Sequence, residues 1–126
     1  MNKQPNSDYC FVCGRKNPKG LYLAFYDNGS NEVHTEFTLG DDYQGYPDVV
    51  HGGIVAAILD EVVGRVAMIH DHHHLMMSVV LQVKYRHPTP TRTPLRAVGR
   101  VVRLRGRLGY RIAGRNEPCR LGVVCG

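Results

Sequence analysis

Four residues in one short stretch carry most of the chemistry this chain can offer: His51, Gly52, Gly53 and, nine positions after the histidine, Asp60. The first backbone N–H groups of a helix have no partner inside it. They sit at the positive end of the helix dipole and suit an oxyanion. Glycines there bring no side chain, so Gly52 or Gly53 can donate to a carbonyl oxygen as negative charge builds on it. They also weaken the helix, so another advantage should favour them. Asp60 falls inside an apolar segment, where a carboxylate must be paired, hydrogen-bonded or facing a cavity. An acid so placed is a candidate base or nucleophile. On one helix Gly52 and Asp60 would stand about 12 Å apart, too far to share one carbonyl. A two-fold dimer that brings Asp60 of one subunit to Gly52 of the other would close that gap. The plainer reading is a tight entry turn with Asp60 paired to Arg65 or another arginine.

Other clusters are weaker. Cys10 and Cys13 form one C-x-x-C followed by Gly14, whereas Cys119 and Cys125 have the wrong spacing for a second knuckle. Structural zinc usually takes four ligands, so the first pair reads as a tight turn carrying two thiols, and no metal is expected. His70 and the His72-His73-His74 run have only Asp71 beside them, which favours a solvated loop over a transition-metal site. Met76 and Met77 read as core or as pocket lining rather than as metal ligands.

The elements that must position these residues follow from periodicity. Residues 1–20 are an irregular lead-in broken by Pro5, Gly14, Pro18 and Gly20. Alternation over residues 21–26 and again over 33–39, with Asp27-Asn28-Gly29-Ser30-Asn31 between, predicts a hairpin. After a polar loop at 40–50, residues 54–69 form the one long helical candidate, apolar nearly all round and therefore buried on most sides. Strands are predicted over 79–86, after a His-rich connector, and over 95–108. A last strand or hairpin turns at Asn116-Glu117-Pro118. Strands on either side of one buried helix make an α+β domain, with the helix wrapped by an antiparallel sheet.

The length of 126 residues fits one domain. No apolar run approaches the roughly 20 residues that span a bilayer, and the polar first residues do not resemble a secretory signal. A cytoplasmic protein is expected. Eleven of the sixteen Lys and Arg residues lie from Lys84 to Arg120, a stretch with one acid, Glu117. Such a basic half suits a polyanion or is simply a solvated face. Nucleic acid is disfavoured, because only Tyr85 and Tyr110 follow residue 46 as stacking aromatics.

The segments CFVCGRKNPKGL, GYPDVVHGGIVAAILDE and MSVVLQVKYRHPTP resemble the hotdog-fold acyl-CoA thioesterases of the phenylacetate-pathway and 4-hydroxybenzoyl-CoA type. The similarity runs over residues 10–107. Its most specific part is the His-Gly-Gly, the acid nine residues after the histidine, and a Ser or Thr leading the next strand, here Ser78. The resemblance implies a single hotdog domain over 1–126 and hydrolysis of an aryl- or medium-chain acyl-CoA thioester. Asp60 would activate water or attack directly, and Gly52 N–H would polarise the carbonyl. His51 would hold the thioester end of the ligand, and Ser78 would position the water. Gly53 and Gln44, the latter an amide in the preceding loop, would contact substrate. Glu61 is the rival helix acid, and one residue along a helix is a turn of about 100°, so at most one of the pair faces the site. Coenzyme A is part of the substrate, and no cofactor or metal is implied. Arg103 and Arg105, with Arg86 and Arg107, are the candidates for its phosphates. A homodimer or homotetramer is expected. The C-terminal GYRIAGRNEPCRLGVVCG departs from the resemblance, so truncated or irregular closing strands are expected. A non-catalytic acyl-CoA-binding module is the alternative, and a hotdog dehydratase would place its histidine in a different loop.

Overall fold

The computed structural model describes residues 1–75, 77, 81–103, 107–114 and 121–125. Its strands are β1 (Asn2–Lys3), β2 (Tyr26–Asp27), β3 (Glu32–Phe37), β4 (Leu81–Val83), β5 (Leu95–Arg103), β6 (Arg107–Gly114) and β7 (Leu121–Cys125). They form one antiparallel sheet in the order β1-β2-β3-β5-β6-β7-β4. Helix α1 (Gly52–Gly64) lies on β3, β5 and β6. This is the expected α+β arrangement of one central helix on an antiparallel sheet.

The core is the apolar face of each element. In β3, Val33, Thr35 and Phe37 point inward, as a period of two requires. In α1, Val55, Ile58, Leu59, Val62 and Val63 are buried. Removing side chains of this size from water contributes about 1.5–3 kcal/mol each. Helix and sheet approach closely at Gly99, where an added Cβ would lie 2.7 Å from the Val62 carbonyl oxygen. Only a glycine in mid-strand lets the helix backbone settle there.

The helix departs from the expected 54–69. It starts two residues earlier, because the glycine pair is its first turn rather than its approach. It ends at Gly64, beyond which Arg65–Met68 wind as a tighter 3₁₀ turn. The expected first strand keeps its alternation, with Leu21, Leu23 and Phe25 buried, but only Tyr26–Asp27 pair as a strand. The amides of Leu21 and Leu23 bond instead to the carbonyls of Phe11 and Val12 in the lead-in. Tyr22, at φ 57°, interrupts the extended chain. The lead-in is therefore tied down, with Asn2–Lys3 paired to β2 and Gln4 buried. The closing strands correct the expectation of a truncated end: β6 pairs with β5 along its length, and β7 joins β6 to β4.

Candidate functional site

The site is built where the loop at 40–50 enters α1. His51 is the N-cap, and its Nδ1 accepts from the Gly53 N–H at 2.9 Å. Histidine is not a preferred cap, but this ring nitrogen satisfies one of the orphan donors as a serine oxygen would. The His51 carbonyl accepts from Ile54 and Val55. Of the glycine pair, Gly53 thus has its N–H committed to His51. For the Gly52 N–H no acceptor stands among the described residues, and Gly52 is exposed. Spacing alone left the donor open between these glycines and the resemblance implied Gly52; the cap engages the N–H of Gly53.

The loop is held against this entrance. The His51 N–H bonds to the Tyr43 carbonyl at 2.8 Å, and Gln44 bridges to Val50. Gln44 is exposed beside the helix start. Tyr85, just past β4, donates its hydroxyl to the Gly52 carbonyl at 2.7 Å, and its ring lies in contact with Gly52. Sequence reading did not assign Tyr85 a place here. The available signal was an aromatic continuing the β4 alternation, but pairing residues 33 positions apart needed the fold.

Asp60 and Glu61 face different surroundings. Asp60 is half-buried on the same side of α1 as Gly53, Ala57 and Gly64, all half-buried or exposed. Seven residues bring a helix back to nearly the same direction. Glu61 turns toward the lead-in. Its Oε1 accepts from Arg65 Nε at 3.0 Å, and its Oε2 lies 3.9 Å from Cys10 Sγ. Arg65 therefore pairs with Glu61 and is itself only 4% exposed. Glu61, the rival helix acid, has its carboxylate engaged by these two residues.

Of the other expected residues, Ser78 and Arg105 lie outside the described residues, as do Met76 and the 116–118 turn. Arg103 stands at the end of β5 in register with Arg107. Part of the basic half is compensated locally: Arg96 and Arg100 pair with Glu32, and Arg92 bridges Asp41 and Asp48. Arg86 is exposed. Met77 is 91% exposed, which corrects its assignment to core within one chain. His72 reaches Asp27 at 3.8 Å. Burial pushes the Asp27 carboxyl up, but hydrogen bonds from Gln4, the Gly29 N–H and Asn2 outweigh it and hold the group below its ordinary value. Among the described residues no helix is long and apolar enough to cross a membrane.

The profile of the thioesterase superfamily matches residues 48–122, more than half of the chain, from the loop before His51 into β7. This chain belongs to the thioesterase superfamily. Across 69 residues, a match covering 55% of this chain, the superfamily member is 32% identical to the rat (Rattus norvegicus) acyl-coenzyme A thioesterase THEM4. It spans only 29% of that relative's length. A crystal structure of another thioesterase superfamily protein superposes with a TM-score of 0.80 at 26% identity, covering 94% of this chain and 59% of the other. The PaaI protein of the Escherichia coli phenylacetic acid degradation operon superposes at 0.71 with 12% identity, over 83% of this chain and 81% of its own. A Streptococcus mutans protein bound to acetyl-CoA gives 0.70 at 13% identity, over 82% and 84%. These last two show the shared hotdog fold of this superfamily member.

Proposed function

We propose that this chain hydrolyses the thioester of an aryl- or medium-chain acyl-CoA, in the manner of the PaaI-like branch of the superfamily. Asp60 takes a proton from water, and the water oxygen attacks the thioester carbonyl. The carbonyl oxygen, now carrying negative charge, is met by the Gly52 N–H at the positive end of α1. Collapse of the tetrahedral adduct breaks the C–S bond, and the proton held by Asp60 passes to the departing coenzyme A thiolate. His51 keeps the glycine turn in shape through Gly53 and borders the thioester. Gln44 and Gly53 border the acyl entrance, and Ser78 positions the water. Arg103 and Arg105 receive the coenzyme A phosphates. The Streptococcus mutans relative that holds acetyl-CoA supports a coenzyme A ligand for this fold.

The observation that carries this reading is an exposed helix start, its second N–H capped and its first one open, on the same helix as a half-buried aspartate in a thioesterase superfamily chain. The two cannot serve one carbonyl within a subunit, since eight residues of helix span about 12 Å. A two-fold dimer, or a tetramer built from it, supplies each site with Gly52 from one copy and Asp60 from the other. The face of α1 that carries exposed Gly53 and half-buried Ala57, Asp60 and Gly64 is lined by small residues beside the acid, which would admit a second backbone. Leu75, Met77, Leu81 and Tyr85 are exposed around the β4 sheet edge, an apolar surface of the kind a partner covers.

The test is release of free thiol from a panel of acyl-CoA esters, read with a thiol-reactive dye. Asp60→Asn is expected to lower kcat by about 10²–10⁴-fold. An unchanged kcat would remove Asp60 from the reaction. Tight binding of acyl-CoA by the native chain, with no thiol released, would leave it a binding module instead.

A further inference from the structure

The helix acid that the proposed reaction does not use lies in a second cluster. The thiols of Cys10 and Cys13 and a carboxylate oxygen of Glu61 all lie within 4.8 Å of one another. We infer that Cys10, Cys13 and Glu61 form a site for a soft divalent cation, zinc foremost, which clamps the lead-in onto α1.

The geometry is close to what such an ion needs. With Zn–S near 2.3 Å and Zn–O near 2.1 Å, a tetrahedral S–O edge is about 3.6 Å. Cys10 Sγ and Glu61 Oε2 stand 3.9 Å apart, so a shift of a few tenths of an ångström closes them on a metal. The backbone already turns to present both sulfurs. The Cys13 N–H donates to Cys10 Sγ at 3.4 Å, and the Gly14 N–H closes the turn on the Cys10 carbonyl at 2.8 Å. Position 14 admits no side chain, since a Cβ would fall 2.5 Å from the Asp8 carbonyl oxygen and 2.6 Å from Cys10 backbone atoms.

The carboxylate is oriented from behind. Arg65 holds Glu61 Oε1 and is itself fixed by the Pro5 carbonyl at 2.9 Å and by the Phe25 ring, 4.4 Å from the guanidinium carbon. Oε2 is thereby turned toward the sulfurs, the part that an outer hydrogen-bond partner plays at metal sites. Charge fits as well. Two thiolates offset the charge of one divalent cation, and Arg65 balances the Glu61 carboxylate. Thiolate ligands select zinc over magnesium or calcium. Cys10 and Glu61 are only part-buried, so solvent can supply an oxygen as the fourth ligand.

The full chain, reduced with a phosphine and freed of metal, is titrated with Co²⁺. The expected result is the visible and near-ultraviolet spectrum of a tetrahedral cobalt thiolate at one ion per chain. Zn²⁺ should displace the cobalt and bleach the spectrum. The double variant Cys119→Ser/Cys125→Ser should keep the spectrum, and Cys10→Ser should lose it. Glu61→Gln should weaken zinc binding by about 10–100-fold. Alkylation mapping on the native chain needs no variant to fold: Zn²⁺ should protect Cys10 and Cys13 selectively. A reduced native chain that gives no cobalt thiolate bands overturns the site, as does protection confined to Cys119 and Cys125. Unchanged zinc affinity in Glu61→Gln overturns the assignment of the third ligand.

Discussion

The two ends of α1 are built to opposite plans. At its start, Gly52 and Gly53 are exposed, the cap is a single histidine nitrogen, and the Gly52 carbonyl is held from outside by Tyr85. At its far end, Glu61 and Arg65 are gripped by the lead-in through Cys10, Pro5 and Gln4, and Arg65 lies over the Phe25 ring. The first end gives up helix propensity and leaves the Gly52 backbone exposed. The second gives up access for rigidity. Neighbouring acids at the far end, Asp60 and Glu61, still face different surroundings, because one step along the helix turns the side chain by about 100°. A helix can thus turn one acid toward an open face while an adjacent acid anchors it along another.

The sharpest way to break this contrast is at the open end. Gly52→Pro removes the N–H while keeping a residue tolerated at the first helical position. His51, at φ −54° and ψ 131°, already has the extended backbone that a following proline prefers. The expected result is a fall in kcat of about 10²–10³-fold with helix content retained by circular dichroism. A full loss of fold would show the open end to be structural after all. The same variant sharpens the cross-subunit reading. Chains carrying Gly52→Pro mixed with chains carrying Asp60→Asn should regain activity, up to about a quarter of the native level, because a mixed dimer has one intact site. No recovery after verified subunit exchange would place both groups within one chain.

A smaller effect is expected at the closed end. Arg65→Met leaves the Glu61 carboxylate and the Pro5 carbonyl without their partner. Breaking a largely buried pair of this kind destabilises by about 3 kcal/mol, measured as a shift of the urea midpoint. A shift no larger than that of an exposed pair, about 0–1 kcal/mol, would show the grip to be incidental.

The mildest test concerns Asp27, which joins the lead-in to β2. Its carboxyl is lowered in the folded chain, so the stability it contributes is fully present above the ordinary value of 3.8 and is lost as pH falls through the lower folded value. Asp27→Asn should flatten the acid limb of Tm against pH. An acid limb identical to that of the native chain would mean that other carboxylates set it.

Features that depend on neighbours along the chain were legible early. The His51-Gly52-Gly53 turn, the acid nine residues after the histidine and the apolar run between them sit within one helix, where spacing translates directly into position. Alternation identified the buried faces of residues 21–25 and 33–37. It did not distinguish a strand from an extended segment, because Leu21 and Leu23 bond to Phe11 and Val12 of the lead-in rather than to a ladder. The closing strands were equally hidden: their arginines and glycines look irregular in one dimension, yet β6 and β7 complete the sheet because β5 and β4 offer edges to pair with.

By itself the amino-acid order determined the helix and its glycine entry, the alternating faces and the position of the candidate acid, since helical and strand periods are properties of the local backbone. Tertiary structure alone decided which helix acid meets Arg65, that Cys10 lies against a carboxylate 51 residues away, and that Tyr85 seats on Gly52. Those partners are chosen by how the layers pack and by a rotation of about 100° per residue, and neither has any signature in linear spacing.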